Sequence, residues 1–291
     1  MKYLKFILIF VLLSQYAHTQ KENQFDGFIK LQDSLFIKYK VDFTENGGLI
    51  SGYSLTDFGG EHETKSKIEG VYNEDAKQIS FKEVGLIYTK SPVSLDDFDF
   101  CNVNFTSNRF KIGSDKLDGD FQGTFSDGTK CLNGEIAMSS VAKIQKRVAK
   151  FSKKVTKSKR IADSIKKKVQ NIKIIDTLNL NVLKKNEITS IPTASKILKL
   201  LIYDGGQIDD DIITVYQDNK PILTKYRITE ARKTIEIPVI NKITKIKILS
   251  ESVGSIGSNT AIIEVLDGKN TIKAMTNLKK GETTQIDILK L

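Results

Sequence analysis

The chain has 291 residues, 40% of them hydrophobic and 27% charged, which is enough to bury one or two ordinary cores. Its formal charge of +10 is not a property of the whole chain: residues 141–173 alone hold 13 Lys or Arg against one acid, residues 21–140 sum to −7 and residues 174–291 to +3. A general nucleic-acid-binding surface therefore does not follow from the charge, and the basic character belongs to one segment.

The N-terminus reads as a targeting segment. Lys2 and Lys5 precede eight uninterrupted apolar residues, 6–13, and a polar region, 14–20, with Ala17-x-Thr19 as the approach to cleavage. The run is too short to span a bilayer, so the expectation is a cleaved signal peptide over residues 1–20 and a secreted or periplasmic chain without a transmembrane helix.

Residues 21–140 read as a β domain. Over 34–43 the residues Leu35, Ile37, Tyr39, Val41 and Phe43 share one face, with Lys38, Lys40 and Asp42 on the other. A glycine recurs two residues after Ile or Leu, at Gly52, Gly70, Gly119 and Gly134. Glycine inside a strand marks a bend or a close backbone approach, as curling sheets need. With turn clusters at 45–48 and 73–75, the spacing predicts a small antiparallel barrel or meander, calycin-like in pattern, wide enough to hold one small ligand. Cys101 and Cys131 both fall here, and export permits a structural disulfide; two buried thiols are the alternative. The single histidine beyond the leader, His62, lies in an acidic loop with Asp57, Glu61 and Glu63 and reads as solvated. The only catalytic alternative is a hydrolase with a carboxylate site inside the barrel.

Residues 141–173 place Val141, Ile144, Val148, Phe151, Val155, Ser158, Ala162, Ile165, Val169 and Ile172 at alternating spacings of three and four. That spacing predicts one basic amphipathic helix of about 33 residues, roughly 50 Å long. A parallel coiled-coil dimer would oppose Arg147, Lys154, Lys166 and Lys168 to their own copies, so a monomer is expected. Three roles fit the helix. Its seam packs on a neighbouring domain, the acidic N-terminal one first, and braces the two β domains; or it lies on lipopolysaccharide or a membrane surface; or it binds another polyanion.

Residues 174–185 read as a linker, strand-like over 174–182 with a polar turn at 184–187, and 186–291 as an antiparallel β-sandwich of immunoglobulin-like or jelly-roll kind. Eight strands are readable, at 197–203, 212–216, 222–226, 234–240, 245–249, 261–266, 271–275 and 284–288. A hairpin turn at 267–270 joins two of them. The loop after the first strand crowds Asp204, Asp209, Asp210 and Asp211 beside Gly205 and Gly206. Asp204, Asp209 and Asp211 are candidate Ca²⁺ ligands, with Glu251 and Asn259 as further oxygen donors if the loops meet; a solvated acidic turn is the alternative. A Ca²⁺-dependent carbohydrate module would have to stack sugars on Tyr203, Tyr216 and Tyr226, because the chain has no Trp.

The runs 203–212, 217–220 and 252–261, the last holding Gly254, Gly257 and Asn259-Thr-Ala261, resemble a module of secreted two-domain proteins of flavobacteria and other Bacteroidetes. Asp210 stands where that module usually has Gly, and residues 255–258 replace its prolines. The resemblance implies an exported envelope protein with a C-terminal β module and no established activity. The expected function is non-catalytic: binding an envelope protein or glycan, or serving as envelope structure.

Overall fold

A computed structural model describes residues 23–31, 35–93, 99–158, 160–170, 180–205, 210–254, 257–268 and 270–291. The expected signal peptide, residues 1–20, lies outside these.

The fold is mainly β. Eight strands run in order around a closed antiparallel barrel: β1 (Asn23–Leu31), β2 (Phe36–Asn46), β3 (Leu49–Thr56), β4 (Thr64–Asn73), β5 (Gln78–Thr89), β6 (Asn102–Ser107), β7 (Lys116–Thr124) and β8 (Lys130–Ser140). Each pairs with the next, and β8 returns to β1 with Phe25 opposite Ser140. Alternation decides which residues line the interior. Tyr39, Val41 and Phe43 of β2 are buried among Phe25, Ile68, Phe81 and Phe105, as a period of two on a closed sheet requires. The recurring glycines are points of close backbone approach. A Cβ at Gly52 would lie 2.0 Å from the carbonyl oxygen of Asp42, and one at Gly70 would lie 2.1 Å from that of Ser80.

The barrel's two ends differ. One is plugged by aromatic rings: Phe25, Phe43 and Tyr72 surround Phe110, which enters from the β6–β7 loop with centroid separations of 5.8 to 6.3 Å. The other end, where β1 meets β2 and β3 meets β4, has no such plug among the described residues. There Cys101 and Cys131 form a disulfide, Cα atoms 6.0 Å apart, that crosses over β7 at Gly123.

The single long helix is corrected. α1 (Val141–Lys157) is capped by Ser140, whose side chain accepts from the Lys143 amide, and the chain turns extended at Ser158; α2 (Asp163–Gln170) follows. The break falls at Ser158 to Ala162, where the apolar seam is thinnest and has least burial to offset helix ordering in a crowd of like charges. Only Val141 and Val155 of α1 are buried, while Phe151 is 57% exposed. The helix packs on β1, β8 and α2, and Lys143 reaches Asp115 of the acidic barrel at 4.0 Å.

Beyond the helices, two sheets share one core. The first has the order β13-β12-β15-β18-β10 and the second β14-β11-β16-β17-β9. Their strands are β9 (Asn181–Leu183), β10 (Ile188–Thr193), β11 (Ile197–Asp204), β12 (Ile212–Gln217), β13 (Lys220–Arg227), β14 (Lys233–Pro238), β15 (Ile243–Ser252), β16 (Ala261–Asp267), β17 (Asn270–Thr276) and β18 (Thr283–Lys290). All eight strands expected from the sequence are present, and Asp267 pairs with Asn270 at the foreseen hairpin. Two corrections apply. β9 lies within the expected linker and β10 within the expected sandwich as a strand beyond the eight, and each pairs in parallel, β10 with β18 and β9 with β17, so the arrangement is not purely antiparallel.

Nor are the two β units separate beads. β5 carries two register shifts against β4, near Val84 and Ile87, and beyond them it leaves β6 and reaches β10, with Ser190 opposite Thr89. Bulges bend and twist a strand, and here they carry β5 out of the barrel toward the next unit. Leu55, Ile87 and Tyr88 of the barrel are buried in the same cluster as Leu183, Leu198 and Ile263. An isolated 21–140 fragment would expose that apolar surface, so the two units share packing in addition to the basic segment.

Candidate functional site

The strongest candidate is the barrel's unplugged end, where a cavity of about 480 Å³ opens. Leu35, Phe36 and Leu132 form an exposed apolar rim, and Ile29, Leu31, Val103 and Phe121 line the walls. One of the three rim residues is set by local sequence: Leu35 shares a face with Ile37 and Tyr39, and along the start of β2 that face passes from mouth to core.

On the inner wall is Glu83, 9% exposed. Its Oε1 accepts from the Tyr39 hydroxyl at 3.1 Å and the Ser54 hydroxyl at 2.5 Å, and its Oε2 accepts from the Val103 backbone N–H at 2.8 Å. Burial raises the Glu83 pKa, opposed by these three hydrogen bonds. Burial and the adjacent carboxylate together hold the Tyr39 phenol protonated well above its ordinary range. Glu83 has no ion-pair partner among the described residues. Sequence reasoning misses this residue. Its period-two position between Phe81 and Val84-Gly85 is the available signal, but its partners lie 20 to 44 residues away.

His62 stands at the mouth and is exposed as expected, with its Nδ1 3.3 Å from the Ser91 hydroxyl and its amide donating to Asp57. Asp57 and Glu83 are the two carboxylates lining the cavity among the described residues; Asp57 is at the rim, engaged with the His62 amide. The third acid of that loop departs from expectation. Glu63 is buried, accepting from the Tyr88 hydroxyl at 3.0 Å and the Gly59 amide at 2.7 Å. Lys90 lies 3.6 Å from Glu63 and 3.3 Å from Glu187 and donates to the Val182 carbonyl, so a buried ion triad joins the two β units. A wider cleft of about 690 Å³ follows this junction between residues 59–62 and 184–188. The buried charges on its wall, Lys90 and Glu187, already satisfy one another, so the barrel cavity is the better candidate.

The carboxylates proposed for Ca²⁺ are only partly described. Asp204 ends β11, and Asp209 lies outside the described residues. Asp211 is buried before β12, and its two oxygens accept from the Gly254 and Thr260 amides at 2.9 and 2.8 Å, clamping that loop. Asp210 pairs with Arg227, and Glu251 accepts from Thr214. Asn259 is buried and donates to the Ile212 and Ser252 carbonyls while accepting from Thr276. No cluster of three metal-ligating side chains occurs among the described residues. The tyrosines do not assemble a platform either. Tyr203 is on one sheet, buried, its hydroxyl on Glu264 and its ring under Arg232, whereas Tyr216 and Tyr226 are on the other sheet.

No helix among the described residues is long and apolar enough to cross a membrane. No protein-family model, curated protein or solved structure matches the chain.

Proposed function

We propose that this chain is a secreted or periplasmic, non-catalytic binding protein whose calycin-like barrel holds a small apolar molecule at its unplugged end. The observation that carries the reading is the 480 Å³ cavity with its exposed rim of Leu35, Phe36 and Leu132. Ligand pockets are concave and mostly apolar, with a few polar groups that orient the guest. The disulfide at the mouth supports the oxidising compartment, as does the resemblance to exported flavobacterial proteins. In this reading the sandwich-like second unit buttresses β5, and the basic helices serve attachment to the acidic envelope. The test is titration of the full chain with the neutral dye N-phenyl-1-naphthylamine. Saturable fluorescence enhancement is expected, weakened about tenfold or more by Phe36→Asp or Leu132→Asp, which place a charge on an apolar rim at positions too exposed to disturb folding. No saturable binding, or binding indifferent to both rim substitutions, would overturn the reading.

A further inference from the structure

The barrel interior holds one ionisable group whose surroundings are incomplete. The three donors on Glu83 (Tyr39, Ser54 and the Val103 amide) are arranged for an acceptor, which is what an ionised carboxylate is. A carboxylate offers about four acceptor positions. Two of these on Oε1 and one on Oε2 are filled, which leaves a position on Oε2, and Glu83 lines the cavity. A buried anion also needs a countercharge, because desolvation without pairing is strongly unfavourable. No Lys or Arg among the described residues pairs with Glu83, and the buried Lys90 is occupied by Glu63 and Glu187.

A purely structural role explains the three hydrogen bonds, which tie β2, β3 and β6 to β5. It uses three of the four acceptor positions and leaves one on Oε2 of a residue that lines a cavity with an apolar rim. We therefore propose that the barrel's ligand is a cationic amphiphile, a primary alkyl- or arylalkyl-amine whose ammonium binds the Glu83 Oε2 while its apolar body lies against Ile29, Leu31, Val103 and Phe121. The inference rests on the cavity reading above and adds the charge and polarity of the guest. Anionic amphiphiles such as fatty acids are disfavoured, since their carboxylate would meet Glu83 in a low-dielectric site.

The test uses the full chain with its disulfide intact and three probes of one chain length: n-octylamine, n-octanol and octanoate, titrated calorimetrically at pH 7. Octylamine is expected to bind at least about tenfold tighter than octanol, as a charge-assisted hydrogen bond in a dry site allows, with octanoate weakest. In Glu83→Gln the octylamine advantage should disappear while octanol affinity stays within about twofold, so the octanol arm doubles as proof that the cavity is intact. If Glu83→Gln fails to fold, the three-probe order on the unaltered protein still decides. Octanol or octanoate binding as tightly as octylamine, or an amine preference that survives Glu83→Gln, refutes the amine assignment and leaves the cavity reading standing. Absence of all binding refutes the cavity reading itself.

Discussion

Lys40 is a charge in an unfavourable place, and replacing it should stabilise the protein. It sits on the outer face of β2, where alternation predicts solvent, yet it is 4% exposed. Its Nζ lies 4.2 Å from the centroid of the Phe58 ring and has no hydrogen-bond partner among the described residues. Burial lowers its pKa from 10.5 to about 8, against the pull of the Asp26, Asp42 and Glu63 carboxylates. At about 1.36 kcal/mol per pKa unit, that shift corresponds to an upper bound of about 3.4 kcal/mol of destabilisation while the amine is protonated in both states. Two effects reduce it. Substitution also removes the attraction between the ammonium and the Phe58 ring, worth roughly 1 kcal/mol, and the ammonium can relax toward the solvent-open hollow formed with Asp42, Tyr53 and Lys65. Lys40→Met keeps the stem and removes the charge, so it should add about 1–2 kcal/mol at pH 6.5. The gain depends on pH. Between pH 8 and 10.5 the unfolded chain binds more protons at this site than the folded one, so the unaltered protein gains stability as pH rises, and the advantage of Lys40→Met shrinks. Urea unfolding of both proteins at pH 6.5 and pH 10 measures the difference. A variant less stable at pH 6.5, or a gap unchanged at pH 10, would refute the reasoning.

Three further outcomes are expected. Lys90→Met leaves Glu63 and Glu187 buried without their cation, so denaturant titration should show a loss of about 3–5 kcal/mol, much larger than for surface lysines such as Lys67. Replacing Cys101 and Cys131 together by Ala reopens a loop spanning a sequence separation of 30; the chain-entropy model sets the loss at about 3.5 kcal/mol, and an unchanged unfolding midpoint would show that the rim holds without it. Gly52→Ala forces a Cβ against the Asp42 carbonyl oxygen, and a drop of more than about 2 kcal/mol is expected because the clash is with backbone that cannot turn aside; thermal melting within a degree of the unaltered protein would contradict it.

How far the strands are legible follows from what each needs. The eight expected strands of the second unit are local patterns of alternating or apolar residues, and a hairpin such as 267–270 is set by its own turn. β9 is short, three residues at the end of a strand-like stretch, and β10 is missed because it contains Pro192, which reads as a strand boundary. Pro192 is tolerated because β10 pairs with β5 at one position only, Ser190, leaving the strand nearly an edge on that side. Periodicity over-extends the helix because it records which residues could share a face and not whether anything covers that face. The acidic loop at 204–211 reads as a cation site because crowded carboxylates in sequence suggest crowding in space; among its described residues Asp211 turns inward onto two amides and Asp210 toward Arg227.

By itself the sequence determined what a period of two and a turn can determine: a mainly β chain, strands in the right places, glycines at the tight approaches and a cysteine pair in one unit. The tertiary structure alone decided which strands close on each other, because β8 must find β1 across more than a hundred residues and β5 must find β10 after two bulges. Those long-range registers place Tyr39, Ser54 and Val103 around Glu83, bury Lys40 on a face that alternation assigned to water and Glu63 in a loop that read as solvated, and leave one end of the barrel plugged and the other without such a plug among the described residues. Polar groups acquire their chemistry from what surrounds them, and for this chain those surroundings come from distant strands.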